Sequence, residues 1–122
     1  MFLRGIRGAT VSEENTKESI LLETQILLEE LIKTNAILPE DIATIFFSTT
    51  RDLNAEFPAV AARQMGLTST PLLCLNEMNV PKSLKKCIRI LLLVNTSKSQ
   101  TKMKHVYLKE AVALRPDTQL TS

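Results

Sequence analysis

The fold follows from one stretch of the sequence, Cys87-Ile88-Arg89-Ile90-Leu91-Leu92-Leu93-Val94. An almost continuous apolar run of this length is typical of a strand in the centre of a sheet. One charge interrupts the run, because Arg89 lies in its middle. A guanidinium keeps its proton and is costly to bury unpaired, so Arg89 must meet a carboxylate, a bound anion or solvent. A buried pair with a glutamate and a ligand site explain it equally well at this stage.

Shorter patterns around this strand predict the rest of the sheet and its main helix. Alternating or apolar runs predict four further strands over residues 2–9, 45–47, 72–75 and 105–108. Apolar residues at helical spacing predict a long helix that begins at a capping box of Asn15 and Glu18 and ends near Asn35. The first strand, this helix and the next strand form a βαβ-like unit.

Two proline-containing segments predict shorter helices. Residues 57–66 carry Pro58 near the first helical position and Gly66 where a C-terminal cap belongs, which predicts a second principal helix. Pro39-Glu40-Asp41 suits the first turn of a short helix. The expected fold is α/β, a mixed five-stranded sheet with two principal helices. No linker or repeat divides it, so we expect a single domain over residues 1–122.

Composition removes several classes of protein. The 122 residues carry a net charge of +2, no Trp and a single Tyr, which argues against a small α/β RNA-binding domain because such domains need stacking aromatics and a basic stripe. One His and two distant Cys give no metal-site pattern, and no cofactor motif appears. The N-terminus has no apolar leader, and nothing approaches the roughly 20 apolar residues of a membrane span. We expect a cytoplasmic protein with free thiols that contacts neither nucleic acid nor membrane.

Four arginines and one glutamate are the candidate functional residues. Arg7 lies between two glycines on the first strand, Arg63 lies in the Ala-rich second helix, and Arg115 precedes Pro116. Each alone is more often an edge or surface charge, but with Arg89 they can form a pocket for a dicarboxylate. Glu77 is a counter-ion for one of them or an acceptor for a ligand hydroxyl.

Nucleophilic and acid–base catalysis lack their usual residues in this sequence. Cys74 lies on an apolar strand, and His105, the single histidine, has no suggestive spacing to it. We therefore interpret Cys74 as a packed thiol and not as a nucleophile. No Ser-His-Asp pattern, phosphate loop or pair of catalytic carboxylates appears.

The order of several segments carries a resemblance to a known family. The segments are Arg4-Gly5-Ile6-Arg7-Gly8-Ala9-Thr10, Phe57-Pro58-Ala59 with Arg63, Cys74-Leu75-Asn76-Glu77-Met78, Leu84-Lys85-Lys86-Cys87-Ile88-Arg89, His105-Val106-Tyr107-Leu108 and Leu114-Arg115-Pro116-Asp117. From about residue 3 to residue 120 they resemble the monofunctional AroH-class chorismate mutases in order and approximate spacing. One departure is Val60, where the family pattern often has a lysine.

The resemblance implies a homotrimeric pseudo-α/β barrel that converts chorismate to prephenate without a cofactor, in clefts between subunits. It places Arg7, Cys74, Glu77, Arg89, Tyr107 and Leu114 on one subunit and Phe57, Ala59 and Arg63 on its neighbour; Leu73 and Arg115 complete the expected set.

The resemblance also implies a role for most of these side chains. Arg89 would meet the ether oxygen, while Arg7 and Tyr107 would bind the carboxylate of the enolpyruvyl arm. Glu77 and Cys74 would meet the ring hydroxyl. Phe57 would form an apolar wall, with Arg63 and Arg115 at the entrance. The alternative is a non-catalytic trimeric module that uses the same cleft to sense an aromatic-pathway carboxylate.

Overall fold

The computed structural model describes residues 1–114 as one sheet with helices on one side. The strands are β1 (Phe2–Val11), β2 (Ile42–Thr49), β3 (Leu72–Asn76), β4 (Cys87–Thr96) and β5 (Val106–Tyr107). The α-helices are α1 (Lys17–Thr34) and α2 (Ala59–Gln64), and short 3-10 turns span Pro39–Asp41, Gln100–Lys102 and Lys109–Leu114. Five strands and two principal helices are as expected.

The sheet is mixed and has β4 at its centre. The strand order is β3-β2-β4-β1-β5, with β4 antiparallel to both neighbours, β3 parallel to β2 and β5 parallel to β1. The predicted βαβ-like unit exists in a split form, because β4 lies between the parallel strands β1 and β2. The central position predicted from the apolar run is confirmed.

The two faces of β4 have different surroundings. Ile88, Ile90, Leu92 and Val94 are buried; the last three belong to the main core beside Leu27, Leu28 and Leu31 of α1. Arg89 and Leu91 alternate with them and are exposed. The strand is apolar on both faces, but on the side of Arg89 and Leu91 only Cys87, at the start of the strand, is buried within the described chain. We call the uncovered side the open face.

The start of α1 differs from the prediction by one residue. The N-cap is Thr16, whose side chain accepts a hydrogen bond from the backbone N–H of Ser19. Asn15 is not the cap, because its Oδ1 accepts from the backbone N–H groups of Asn54 and Ala55 and so ties the helix start to the segment before α2. The helix ends at Thr34 with Asn35 as its C-cap, which agrees with the predicted end near Asn35.

The second helix is shorter than predicted. α2 spans six residues, with Pro58 as its N-cap and Gly66 two residues beyond its end. Gly66 has a φ of 94°, which a residue with a side chain rarely adopts, so the predicted glycine stop is confirmed. The segment at Pro39 forms a single 3-10 turn. None of the helices within residues 1–114 is long and apolar enough to cross a membrane.

An ion pair fixes the last described turn against α1. Lys109 Nζ lies 2.7 Å from Glu23 Oε2 and 3.3 Å from Glu13 Oε1. The hydrogen bond that Lys109 donates to Glu23 raises the pKa of Lys109, and the weaker bond that it donates to Glu13 acts in the same direction. This pair anchors the turn that leads to Leu114.

We expect Gly8→Ala to destabilise the fold. A Cβ at Gly8 would lie 2.9 Å from Leu31 Cδ1 and 3.1 Å from Leu27 Cδ1, inside the core beneath α1. Such overpacking costs about 1–3 kcal/mol of the free energy of unfolding, measured by urea denaturation. Leu31→Val removes the closest methyl groups, so the double variant should lose less than the sum of the two single losses. Strict additivity would contradict this packing.

Candidate active site

Three expected site residues lie on the open face because of strand register. Ala9 of β1 pairs with Arg89 of β4 on one side and with Tyr107 of β5 on the other. Paired residues share a face of the sheet, and so do residues two apart on one strand. Arg7, Arg89 and Tyr107 therefore lie on the same side of three adjacent strands.

Glu77 joins this group from the end of β3. Its backbone N–H donates to Thr49 O at 2.8 Å, and its Oε2 lies 3.6 Å from Arg89 Nε. The Arg89 side chain is 46% exposed. The Arg89 side chain thus contacts both Glu77 and solvent, so its charge is not buried in the core. A partly exposed pair of this kind is worth about 1 kcal/mol or less, so it is not a major source of stability.

Arg7 is held through its backbone and presents an unused donor. Its N–H donates to Nδ1 of His105 at 2.9 Å. Its Nε is buried and has no hydrogen-bond partner within residues 1–114. Leaving a charged donor buried and unpaired is unfavourable, so this position favours binding of an anion. His105 thus supports the backbone of Arg7 through its ring nitrogen.

A second group of expected residues surrounds α2. Cys74 pairs with the core residue Phe47, so its side chain lies on the helix-covered face, opposite to Arg89. The backbone N–H of Ala59 donates to its sulfur, and Arg63 lies close enough to act on its charge. Phe57 is 66% exposed and lines a cavity of about 350 Å³ together with Cys74. We call Phe57, Ala59, Arg63 and Cys74 the α2 group.

The fold therefore separates residues that were expected together. Cys74 was assigned beside Glu77 and Arg89, but its side chain belongs to the α2 group. Sequence spacing could not reveal this, because the face of Cys74 depends on the pairing of β3 with β2. Leu73, next to it, faces the open side and is 49% exposed. Leu114 is half-buried in the last described turn, and Arg115 lies outside the described residues.

Burial controls the chemistry of Cys74. It raises the pKa of the thiol, while the Ala59 N–H and the Arg63 charge lower it by smaller amounts. The net direction is upward, so the thiol stays protonated near neutral pH. This is unfavourable for a nucleophile and suits a weak hydrogen-bonding group.

A second cavity lies beside Glu77, where the loop after β3 approaches the loop after β2. It has a volume of about 330 Å³ and runs along residues 77–85 and the segment from Thr50 to Asp52. A smaller cavity of about 120 Å³ continues from it to Arg89 and Cys87. Within residues 1–114, no group of three His, Cys, Asp or Glu side chains is placed to hold a metal ion.

Comparisons with known proteins identify the family. The model of the family described as chorismate mutase type I matches residues 3–118. Chorismate mutase AroH of Bacillus subtilis (strain 168) is 48% identical over 122 residues, covering 99% of this chain and 96% of that protein. Chorismate mutase AroH of Thermus thermophilus is 48% identical over 118 residues, covering 96% and 97%. The chain belongs to the type I chorismate mutases.

A solved structure agrees with this assignment. Chorismate mutase from Clostridium thermocellum superposes with a TM-score of 0.88 at 51% identity, over 89% of this chain and 97% of that one. The chain is accordingly an enzyme that converts chorismate to prephenate. The comparisons give no support to the non-catalytic binding module.

Two polar groups of this chorismate mutase were missed by the sequence analysis. Ser48 Oγ donates to Glu77 Oε2 at 2.5 Å. Asp52 accepts from the backbone N–H of Lys86 with both carboxylate oxygens and from Thr50 Oγ1. Lys86 has a φ of 50° and directly precedes β4, so Asp52 fixes the entry of the strand that carries Arg89. The alternation of side chains along a strand places Ser48 and Phe47 on different faces of the sheet, but it does not reveal that Ser48 binds Glu77.

We expect Cys74 to react slowly with iodoacetamide at pH 7.5. The raised pKa keeps the thiolate fraction small, so alkylation in the native protein should be several-fold slower than in the urea-unfolded chain. Peptide mass spectrometry measures the labelling, with buried Cys87 as the internal control. Equal rates at Cys74 in the native and unfolded chain would contradict the assignment.

Proposed function

We propose that this chorismate mutase acts as a homotrimer whose active site joins the open face of one subunit to the α2 group of the next. The observation that carries the proposal is the separation of the two groups within one chain. Arg7 and Cys74 lie three strands apart, about 14 Å at ordinary strand spacing, and on opposite faces of the sheet. A ligand of chorismate's size reaches both groups where two copies meet.

The open face supports association of this kind. Leu3, Leu75 and Leu91 are 53%, 50% and 41% exposed there, in addition to Leu73. A contiguous apolar surface rimmed by charged groups is typical of a protein interface. Because the two contributing surfaces differ, the contact is heterologous and closes into a ring, for which the family resemblance implies three copies in a pseudo-α/β barrel.

The reaction needs a fixed positive charge and no proton transfer. In the concerted rearrangement, the ether C–O bond breaks ahead of full C–C bond formation, so negative charge develops on the ether oxygen. A cation already in place stabilises this charge more in the transition state than in the substrate. Arg89 supplies it, since its guanidinium keeps its charge and its planar fork reaches the ether oxygen and a carboxylate together.

The remaining residues select the folded conformation of the substrate. The enolpyruvyl arm must lie over the ring although the two carboxylates repel each other, and cations offset that repulsion. Arg7 and Tyr107 bind the arm carboxylate, to which Arg7 brings its positive charge. Glu77 accepts a hydrogen bond from the ring hydroxyl, and the Cys74 thiol approaches the same hydroxyl from the neighbouring subunit.

The α2 group forms the opposite wall of the cleft. Phe57 and Ala59 provide apolar contact, Arg63 attracts the dianion at the entrance, and Leu73 and Leu114 close the sides. Arg115 completes the entrance in this proposal. Residues 1–122 act as one domain without a cofactor, and two free cysteines fit a reducing cytoplasm.

Loss of chorismate absorbance in the presence of the purified chain tests the activity, and light scattering on the same sample tests the trimer. We expect turnover that saturates with chorismate and a mass three times that of one chain. Binding of chorismate without turnover would restore the sensing module and contradict the enzyme.

We expect Arg89→Ala, and also Arg89→Lys, to lower kcat by about 10²- to 10³-fold in trimers that remain folded, which is the scale for removing one preorganised donor. Arg4→Ala is the matched control. Arg4 lies on β1 over the Phe2 ring and donates to Lys98 O, away from the open-face cations. Near wild-type turnover in Arg89→Ala would exclude the electrostatic mechanism.

A mixture of two inactive variants tests the shared site. Arg63→Ala and Arg89→Ala chains, unfolded together in equal amounts and reassembled, should recover about one quarter of wild-type activity. Three quarters of randomly assembled trimers contain both variants. In each of these, one of the three clefts has both arginines, which gives one quarter of all clefts. No recovery, despite subunit mixing verified by mass spectrometry, would place Arg63 and Arg89 in the same chain's site.

A further inference from the structure

We infer that Ser48 is a positioning residue for the reaction, holding the Glu77 carboxylate apart from Arg89; the inference rests on the roles proposed above for those two residues. Ser48 lies on β2 directly across from Arg89 of β4 and beside Leu75 of β3. Its side chain is therefore on the open face, between the arginine and the strand that delivers Glu77.

The same carboxylate oxygen faces both neighbours. Ser48 Oγ donates to Glu77 Oε2 at 2.5 Å, a length typical of a strong hydrogen bond from a hydroxyl to a charged carboxylate. Arg89 Nε lies 3.6 Å from that oxygen, whereas a charge-assisted N–H···O bond measures about 2.7–2.9 Å. The hydroxyl has the closer contact, and the arginine remains at a loose distance.

The backbone adds a second restraint on Glu77. Its N–H donates to Thr49 O, the residue after Ser48 on β2. Adjacent residues of one strand thus fix both the main chain and the carboxylate of Glu77. This double attachment orients a residue at the end of a strand, where the loop over residues 77–85 would otherwise leave it free to rotate.

The loose ion pair matters for catalysis. A carboxylate in close bidentate contact with Arg89 would neutralise the charge that the ether oxygen needs and would withdraw the acceptor that the ring hydroxyl needs. By binding Oε2, Ser48 keeps Glu77 from closing onto Arg89. Loss of the Ser48 hydroxyl should therefore weaken transition-state stabilisation more than substrate binding.

Steady-state kinetics of Ser48→Ala test the role. We expect kcat to fall about 10-fold, the effect of losing one hydrogen bond to a charged group, while KM changes less than about two-fold. Thr44→Ala is the matched control, because Thr44 lies on the same face of β2 and its hydroxyl donates to Pro71 O, not to a charged group. Its kcat should stay within about two-fold of wild type.

A double-mutant cycle with Glu77→Gln separates positioning from a structural role. If Ser48 acts through Glu77, adding Ser48→Ala to Glu77→Gln should change kcat less than about two-fold. The same loss in both backgrounds, or a kcat of Ser48→Ala equal to wild type, would overturn the inference and leave the proposed function intact. An inactive wild-type enzyme would instead overturn the proposed function.

A crystal structure of Ser48→Ala gives a readout that does not depend on activity. We expect the Glu77 carboxylate to turn toward Arg89 and to shorten the present 3.6 Å separation to that of a direct hydrogen bond. A carboxylate that keeps its position without the hydroxyl would contradict the inference.

Discussion

β4 lies between β2 and β1, and its alternating side chains divide the molecule into a covered and an open face. Ile88, Ile90, Leu92 and Val94 remove apolar area from water on one side, which is the main favourable contribution to folding. The same alternation leaves Arg89 and Leu91 on the other side. A chain stabilised in this way folds while Arg89 and Leu91 on the open face remain exposed.

This division explains why β4, whose sequence is otherwise typical of a buried strand, contains Arg89. In the single chain, Arg89 avoids the cost of burial because it is exposed and has Glu77 beside it. In the proposed trimer, covering the open face would remove water from Arg7 and Arg89 after the fold is complete. In the proposed enzyme, the electrostatic interactions strengthen only where the substrate supplies the counter-charge.

Much of the architecture could be predicted from local patterns. The five strands and the end of α1 near Asn35 follow from the spacing of apolar residues, and the stop at Gly66 follows from glycine's tolerance of positive φ. The N-cap was misplaced at Asn15 because a capping side chain and a loop-binding side chain have the same chemistry, and the loop at Asn54 is remote in sequence. Arg7, Glu77 and Arg89 were recognisable as candidates because the hydrophobic pattern of their segments does not explain a charged residue at those positions.

By itself, the sequence determined the elements, the central strand and the family, because these depend on neighbouring residues and on the order of motifs. Tertiary structure decided which candidates lie together. Strand pairing brings Ser48 opposite Arg89, where its hydroxyl reaches Glu77, and it turns Cys74 toward α2 on the far face. Such placements depend on register between strands separated by tens of residues, and a shift of one residue would exchange the faces. No local pattern carries that information.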